Sequence, residues 1–198
     1  NGYCPSEGIP ELRKALAKDV GEKRDVEYGL DNVIIQPGGK PTIWKFLATV
    51  MNSGDEVLYP NPGYPIYESQ INYQGGAALP YRYNQTENGF DIDLDYLANS
   101  ISAKTKVLIL NNYQNPMSAS SSREELKALS KLVLKHDLWV LSDDAYYEIR
   151  YSKDSPNSIL NFPGMKQRTV ILYTFSKKYA MTGWRIGASI GPESLIKH

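Results

Sequence analysis

Short apolar runs, polar loops and longer amphipathic stretches alternate along the chain. "VIIQ" (33–36), "EVLYP" (56–60), "AALPY" (77–81), "KVLILNN" (106–112), "LWVLSD" (138–143) and "TVILYTFS" (169–176) each read as a strand. Between them, "GGKPTIWKFLATVM" (38–51) predicts a Gly-rich turn entering a helix, with Pro41 tolerated in the first turn. "GYPIYESQINYQGG" (63–76) predicts a helix closed by glycines, and "DIDLDYLANSI" (91–101) a short helix entered through acidic residues. "SSREELKALSKLVLKHD" (121–137) carries the clearest helical period, with Leu126, Leu129, Leu132 and Val133 on one face. A serine at 121 or 122, with a glutamate three residues on, supplies its cap. Nearly continuous apolar strands separated by helices predict an α/β fold of three layers, α/β/α. Its sheet is mostly parallel and covered on both faces, and short linkers predict one domain.

Composition narrows the classes. With 41% hydrophobic and 22% charged residues the chain reads as an ordinary soluble globular protein. Lysine plus arginine (22) balances aspartate plus glutamate (22), so no global field draws it to nucleic acid or an anionic membrane. Any anion site must be local. A single cysteine, Cys4, rules out an internal disulfide framework and suits a reducing, cytoplasmic compartment. Two distant histidines (His136, His198) form no His/Cys metal cluster, and no metal is expected. No apolar run reaches the ~18 residues of a membrane-spanning helix. The start, Asn1-Gly2-Tyr3, lacks an initiator methionine and a signal-peptide pattern, and reads as the edge of a piece of a longer protein.

In open α/β sheets ligands bind beyond the carboxyl ends of the strands, and here those ends are rich in chemistry. Gly38-Gly39-Lys40 follow the first strand, and Gln114-Asn115-Pro116 follow "KVLILNN". Asp143, Asp144 and Tyr146 follow "LWVLS", and Ser176 and Lys177 follow "TVILYTF". Each cluster has a plain reading: a turn, a turn initiator, a helix cap, a solvated lysine. Tyr64 and Tyr67 read first as packing aromatics, and Trp44 and Trp139 as core. The plain readings do not predict that all four clusters share one edge, as parallel strands require.

One ligand suits the set. Backbone N–H groups at the glycines and the helix dipole hold a phosphate, with Arg185 as its clamp. An aspartate keeps a pyridine nitrogen protonated, and a lysine forms a Schiff base with an aldehyde. Phosphate, protonated pyridine and aldehyde together describe pyridoxal 5'-phosphate.

"SKKYAMTGWRIG" (176–187) resembles the Ser-Lys-x-x-x-x-x-Gly-x-Arg-x-Gly signature of class I/II, fold type I pyridoxal-phosphate aminotransferases, the aspartate-aminotransferase-like group. "YCPSEGIPELRKAL" (3–16), "GGKPTI", "GDEVLYPNPGYPIY" (54–67), "NNYQNP" (111–116) and "LSDDAYYE" (141–148) follow in the family's order, so the resemblance covers essentially the whole chain. It implies that Lys177 is the Schiff-base lysine and that Lys178 falls on a variable position. By the same resemblance Asp143 pairs with the pyridine nitrogen, while Tyr146 and Asn115 bond the 3-hydroxyl and Tyr64 stacks on the ring. Gly38, Gly39 and Lys40, Thr174, Ser176 and Arg185 lie on the phosphate side. Tyr3 resembles the tyrosine that reaches the neighbouring subunit's phosphate in the family's homodimers.

Two departures stand out. The family's Asn-x-Pro-x-Asn-Pro-Thr-Gly here reads Asn111-Asn112-Tyr113-Gln114-Asn115-Pro116-Met117-Ser118, and Asp144-Ala145 replaces the commoner Glu-Ile. The resemblance implies that residues 1–198 are the cofactor-binding large domain. An N-terminal segment and a C-terminal small domain, with an arginine for the substrate α-carboxylate, lie outside it, so the piece alone is expected to be inactive. The implied activity is transfer of an amino group between an L-amino acid and a 2-oxo acid. A lyase of the same fold, or an aminotransferase-like effector-sensing domain of a transcription regulator, stands as the alternative.

Overall fold

The structure is a computed structural model that describes residues 2–87, 89–151 and 156–198. Its first helix, α1 (Pro10–Arg24), opens on Pro10, whose fixed φ suits a first turn. It closes where Asp25, in the left-handed region at φ 52°, returns its N–H to Gly21 O. After β1 (Val33–Gln36), α2 (Lys40–Val50) buries Thr42, Ile43, Phe46 and Leu47 along one stripe. Next come β2 (Glu56–Pro60), α3 (Ile66–Tyr73) and β3 (Ala77–Tyr81). A two-stranded antiparallel ribbon of β4 (Tyr83–Thr86) and β5 (Gly89–Ile92) follows.

The chain continues through α4 (Leu94–Asn99), β6 (Thr105–Leu110), α5 (Arg123–Lys135) and β7 (Trp139–Asp143). Ser122 and Glu125 close a reciprocal capping box on α5. The last elements are β8 (Thr169–Thr174), the single turn α6 (Phe175–Lys178), β9 (Gly187–Ile190) and the single turn α7 (Glu193–Ile196).

Seven strands form one sheet in the order β1-β9-β8-β7-β6-β2-β3. β3, β2, β6, β7 and β8 are mutually parallel, whereas β9 runs antiparallel to both β8 and β1. Two reversals restore direction, so β1 points the same way as β8. Side-chain alternation covers both faces. Val57, Val107, Ile109, Leu141, Val170 and Leu172 pack with α2 and α3, while Leu58, Leu108, Leu110 and Val140 pack with α4 and α5. Ile171, Tyr173, Ala188 and Ile190 pack against Leu16, Ala17 and Val20 of α1. Each of these fully buried aliphatic side chains contributes on the order of 2 kcal/mol to the core. The three-layer, mostly parallel α/β fold is as the patterning predicts.

Several elements differ from expectation. The β4–β5 ribbon takes residues through Ile92, so the helix expected over 91–101 starts only at Leu94, with Asp93 accepting from Tyr96 N as its cap. "TVILYTFS" ends as a strand at Thr174, whose hydroxyl accepts from Ser176 N and turns the chain into α6. α1 and β9 lie outside the predicted elements altogether. Trp44, expected in the core, is 46% exposed because α2 buries the stripe of Ile43, Phe46 and Leu47 instead. Trp139 packs half-buried against the core, as expected.

Candidate active site

Because β1, β6, β7 and β8 share one direction, the segments that follow them meet at a single sheet edge. There they line a cleft of about 500 Å³. Gly39 and Lys40 enter from α2, Tyr64 and Tyr67 from α3 and the loop before it, and Asn111 and Asn115 from the loop after β6. Asp143, Ala145 and Tyr146 come from the end of β7, and Thr174, Ser176, Lys177, Thr182 and Arg185 from β8, α6 and the loop beyond. All but two of the residues expected at the site are therefore together.

The exceptions are Gly38 and Tyr3. Gly38 is buried beneath the rim rather than lining the cleft, with φ +89°, and a Cβ placed on it would collide with Arg185 Nη2. A Cβ on Gly39 would press on Leu172 Cδ2 at 2.7 Å. The two glycines thus form a cradle that side chains would fill. Tyr3 is fully exposed and takes no part in this cleft.

Asp143 forms the floor. Its Oδ2 accepts from Tyr67 Oη at 2.6 Å and its Oδ1 from Ala145 N at 3.1 Å. Burial pushes its carboxyl up to about 6. The Tyr67 and Ala145 hydrogen bonds pull the other way, and Asp144 nearby adds to the rise. Burial, and then Asp143 itself, hold the Tyr67 phenol well above the usual tyrosine range, so it serves as a donor. Tyr64 meets Tyr67 edge-to-face, centroids 5.8 Å apart.

Asn111 Nδ2 donates to Asp143 O at 3.0 Å, and its Oδ1 accepts from Asn115 N at 3.0 Å. One amide thereby spaces the ends of β6 and β7 and orients Asn115. Tyr67 and Asn111 also line the cleft, although sequence reasoning did not place them there. Tyr67 sits one helical turn from Tyr64, and Asn111 opens the "NNYQNP" motif, but their common partner is far away in sequence.

The opposite rim is cationic. Arg185 Nη1 donates to Thr182 O at 2.8 Å and Ser176 Oγ at 3.4 Å. It stands beside Gly38 at the entry to α2, whose N-terminal end carries the positive pole of the helix dipole. Lys177 is exposed to the cleft, its Nζ 5.7 Å from the centroid of the Tyr146 ring. Lys178 points elsewhere, into an ionic cluster with Asp19 and Glu148. Among the described residues no group of three His, Cys, Asp or Glu side chains could hold a metal ion.

A buried carboxylate on the floor, facing cations and a helix N-terminus at the rim, suits a ligand positive at one end and phosphorylated at the other. The fold and cleft define an α/β domain for such a cofactor. Comparison with known proteins then places the sequence: the chain belongs to the family described as aminotransferase class I and II, which it matches over residues 1–198. It is 34% identical over 196 residues to the aspartate aminotransferase of Bacillus subtilis (strain 168), covering 98% of this chain and 50% of that protein. To an arginine–pyruvate transaminase of Pseudomonas aeruginosa it is 33% identical, covering 99% of this chain and 49% of the other.

Among solved structures, N-succinyldiaminopimelate aminotransferase from Mycobacterium tuberculosis superposes with a TM-score of 0.95 at 28% identity, covering 100% of this chain and 52% of that one. A double mutant of Thermus thermophilus aspartate aminotransferase gives 0.92 at 31%, covering 99% and 50%. The chain spans about half the length of the relatives it matches. Enzymes of this family use pyridoxal phosphate. The glycine cradle beside Arg185, and a buried carboxylate protonating near pH 6 in want of a cation, fit that cofactor's two ends.

Proposed function

We propose that residues 1–198 are the cofactor-binding large domain of a pyridoxal-phosphate-dependent aminotransferase, with Lys177, Asp143 and Tyr146 as its catalytic residues. The protein would move an amino group between an L-amino acid and a 2-oxo acid. The observation that carries this reading is the buried, doubly hydrogen-bonded Asp143 opening onto the same cleft as Lys177. When bound, pyridoxal phosphate supplies an aldehyde for a Schiff base with Lys177 and a protonated ring that accepts electrons from the donor's α-carbon.

The chain's own groups do the rest. Asp143 would hold the protonated ring nitrogen as its counter-ion, and a cation opposite it would relieve the burial penalty on its charge. Tyr64 covers one face of the ring. Tyr146 and Asn115 donate to the 3-hydroxyl oxygen. Arg185, Ser176, Thr174 and the amides of Gly39 and Lys40 hold the phosphate, and Gly38 leaves room for the Arg185 guanidinium. Lys177 Nζ would be the general base that takes the proton from the donor's α-carbon and hands it on to a second carbon.

We also infer a homodimeric, cytoplasmic protein whose partners are small amino and oxo acids. Full exposure of Tyr3 away from its own cleft suits a residue serving a neighbouring subunit's phosphate. Balanced charge and an exposed free Cys4 suit a cytoplasmic enzyme with no nucleic-acid partner. No helix among the described residues is long and apolar enough to cross a membrane.

The test is covalent. Added pyridoxal phosphate should give the protein a visible absorbance band, and borohydride should fix the cofactor on Lys177. Lys177→Ala should lose both the band and turnover with an oxo-acid acceptor. A Lys177→Ala protein that still transaminates overturns the assignment, and pyruvate and ammonia released without an acceptor would make the enzyme a lyase.

A further inference from the structure

Lys177 and Lys178 are adjacent but diverge. Consecutive helical residues point about 100° apart, so the single turn α6 sends one lysine into the cleft and the other toward α1. Lys178 Nζ lies 2.8 Å from Glu148 Oε1 and 3.3 Å from Asp19 Oδ2. Lys23 Nζ lies 2.7 Å from Asp19 Oδ1 and 2.7 Å from Glu148 Oε2. The four groups close a ring of alternating charge, with side chains only 18–35% exposed.

Isolated surface pairs contribute little, but a closed, half-buried network holds its members in one geometry. This ring joins three segments: α1, the turn after β7, and α6. Two of them carry site residues at fixed offsets. Tyr146 is two residues before Glu148, and Lys177 is one before Lys178.

We propose that the Lys178–Glu148 ion pair is a positioning device that sets the approach of Lys177 to Tyr146 across the cleft. The proposal rests on Lys177 being the Schiff-base lysine. α6 is four residues long, too short for its own hydrogen bonds to fix its orientation, and the loop after it is exposed through Arg185. The clamp supplies what the helix lacks. Lys178 Nζ also reaches Tyr173 Oη at 3.4 Å and stands 4.8 Å from the centroid of the Tyr179 ring, so the side chain is held at several points. Burial is the largest single effect and works against its charge, but Glu148, Lys23, Tyr179 and Tyr173 together outweigh it and keep Lys178 above the usual lysine range. Held in this ring, it faces away from the cleft that Lys177 enters.

A plain staple holding α1 to the sheet would affect stability alone. The experiment therefore reads the cofactor in the intact protein, comparing Lys178→Met, Lys178→Arg, Glu148→Gln and the double variant Lys178→Met/Glu148→Gln. Stopped-flow absorbance follows formation of the Lys177–pyridoxal phosphate band, and visible circular dichroism reports ring orientation. Lys178→Met should slow band formation at least about tenfold and change the dichroic band, within the ~100-fold that a 1 Å misplacement at a reacting centre can cost. Lys178→Arg should restore both, and the double variant should be no slower than the slower single.

Native band formation and dichroism in Lys178→Met, or fully additive losses in the double variant, would overturn the proposal. Should Lys178→Met not fold, Glu148→Gln decides by the same two readings. Lys177→Ala separates the two claims: if it still forms the band, the underlying reading fails, whatever Lys178 does.

Discussion

Tyr67 donates its phenol to Asp143 Oδ2 at 2.6 Å, joining helix α3 to the carboxyl end of β7 beneath the cleft. The bond favours the ionised carboxylate and partly offsets the rise caused by burial. Tyr67→Phe removes the donor, so the Asp143 carboxyl should rise further and hold a pyridinium less well. We predict about a tenfold loss of pyridoxal phosphate affinity, the ~1.4 kcal/mol of one hydrogen bond to a charged group, read by absorbance titration. Unchanged affinity would show that Tyr67 only packs.

Asp143 should also make cofactor-free stability pH-dependent. A carboxyl raised to about 6 from 3.8 binds its proton more tightly in the folded state. Its contribution is fully present below about pH 4 and is lost as pH rises through 6. Asp143→Asn carries no such loss. Relative to the parent, it should gain up to about 3 kcal/mol in urea denaturation between pH 4 and pH 8, even as it loses cofactor. A difference independent of pH would count against the buried, unpaired carboxylate.

Immediately beside Asp143, Asp144 is locked to α1. Arg24 Nη2 and Nε reach Asp144 Oδ2 at 2.6 and 3.0 Å, with the two side chains 1% and 3% exposed. Ser142 Oγ donates to Asp144 Oδ1 at 2.6 Å, and the guanidinium lies 3.6 Å from the Tyr147 ring centroid. Arg24→Met leaves a buried charge alone and should cost about 3–5 kcal/mol in chemical denaturation, whereas Arg24→Met/Asp144→Leu should recover much of it. A double variant as unstable as the single would place the effect in packing rather than in the orphaned charge.

At Gly38 the expected damage falls on binding. Alanine there meets the positive φ and the Arg185 guanidinium together, but a guanidinium can swing away. Gly38→Ala should therefore cost only about 1–2 kcal/mol of fold stability. It should weaken phosphate holding more than that, because the clamp is displaced. Parallel melting curves and cofactor titrations check the order of the two effects.

Local pattern carried most of the fold and most of the cleft. Apolar runs such as "KVLILNN" and the period of α5 are properties of neighbouring residues, so strand and helix type could be read from them. Turn chemistry marked the segments that follow each strand, and with them Gly39, Asn115, Asp143 and Lys177, while Arg185 came with the phosphate argument and the 176–187 motif. The β4–β5 ribbon and the four residues of β9 were hidden because short strands owe their existence to pairing partners rather than to their own hydrophobicity.

The long-range contacts belong to the folded chain alone. Tyr67 became part of the site only when α3 met β7 across 76 positions. Lys178, one residue from the chemistry and dismissed by motif, acquired its partners from α1 and the turn after β7. Side-chain hydrogen bonds and ion pairs act over about 3 Å. Sequence order specifies which groups exist, and only packing brings them within that distance.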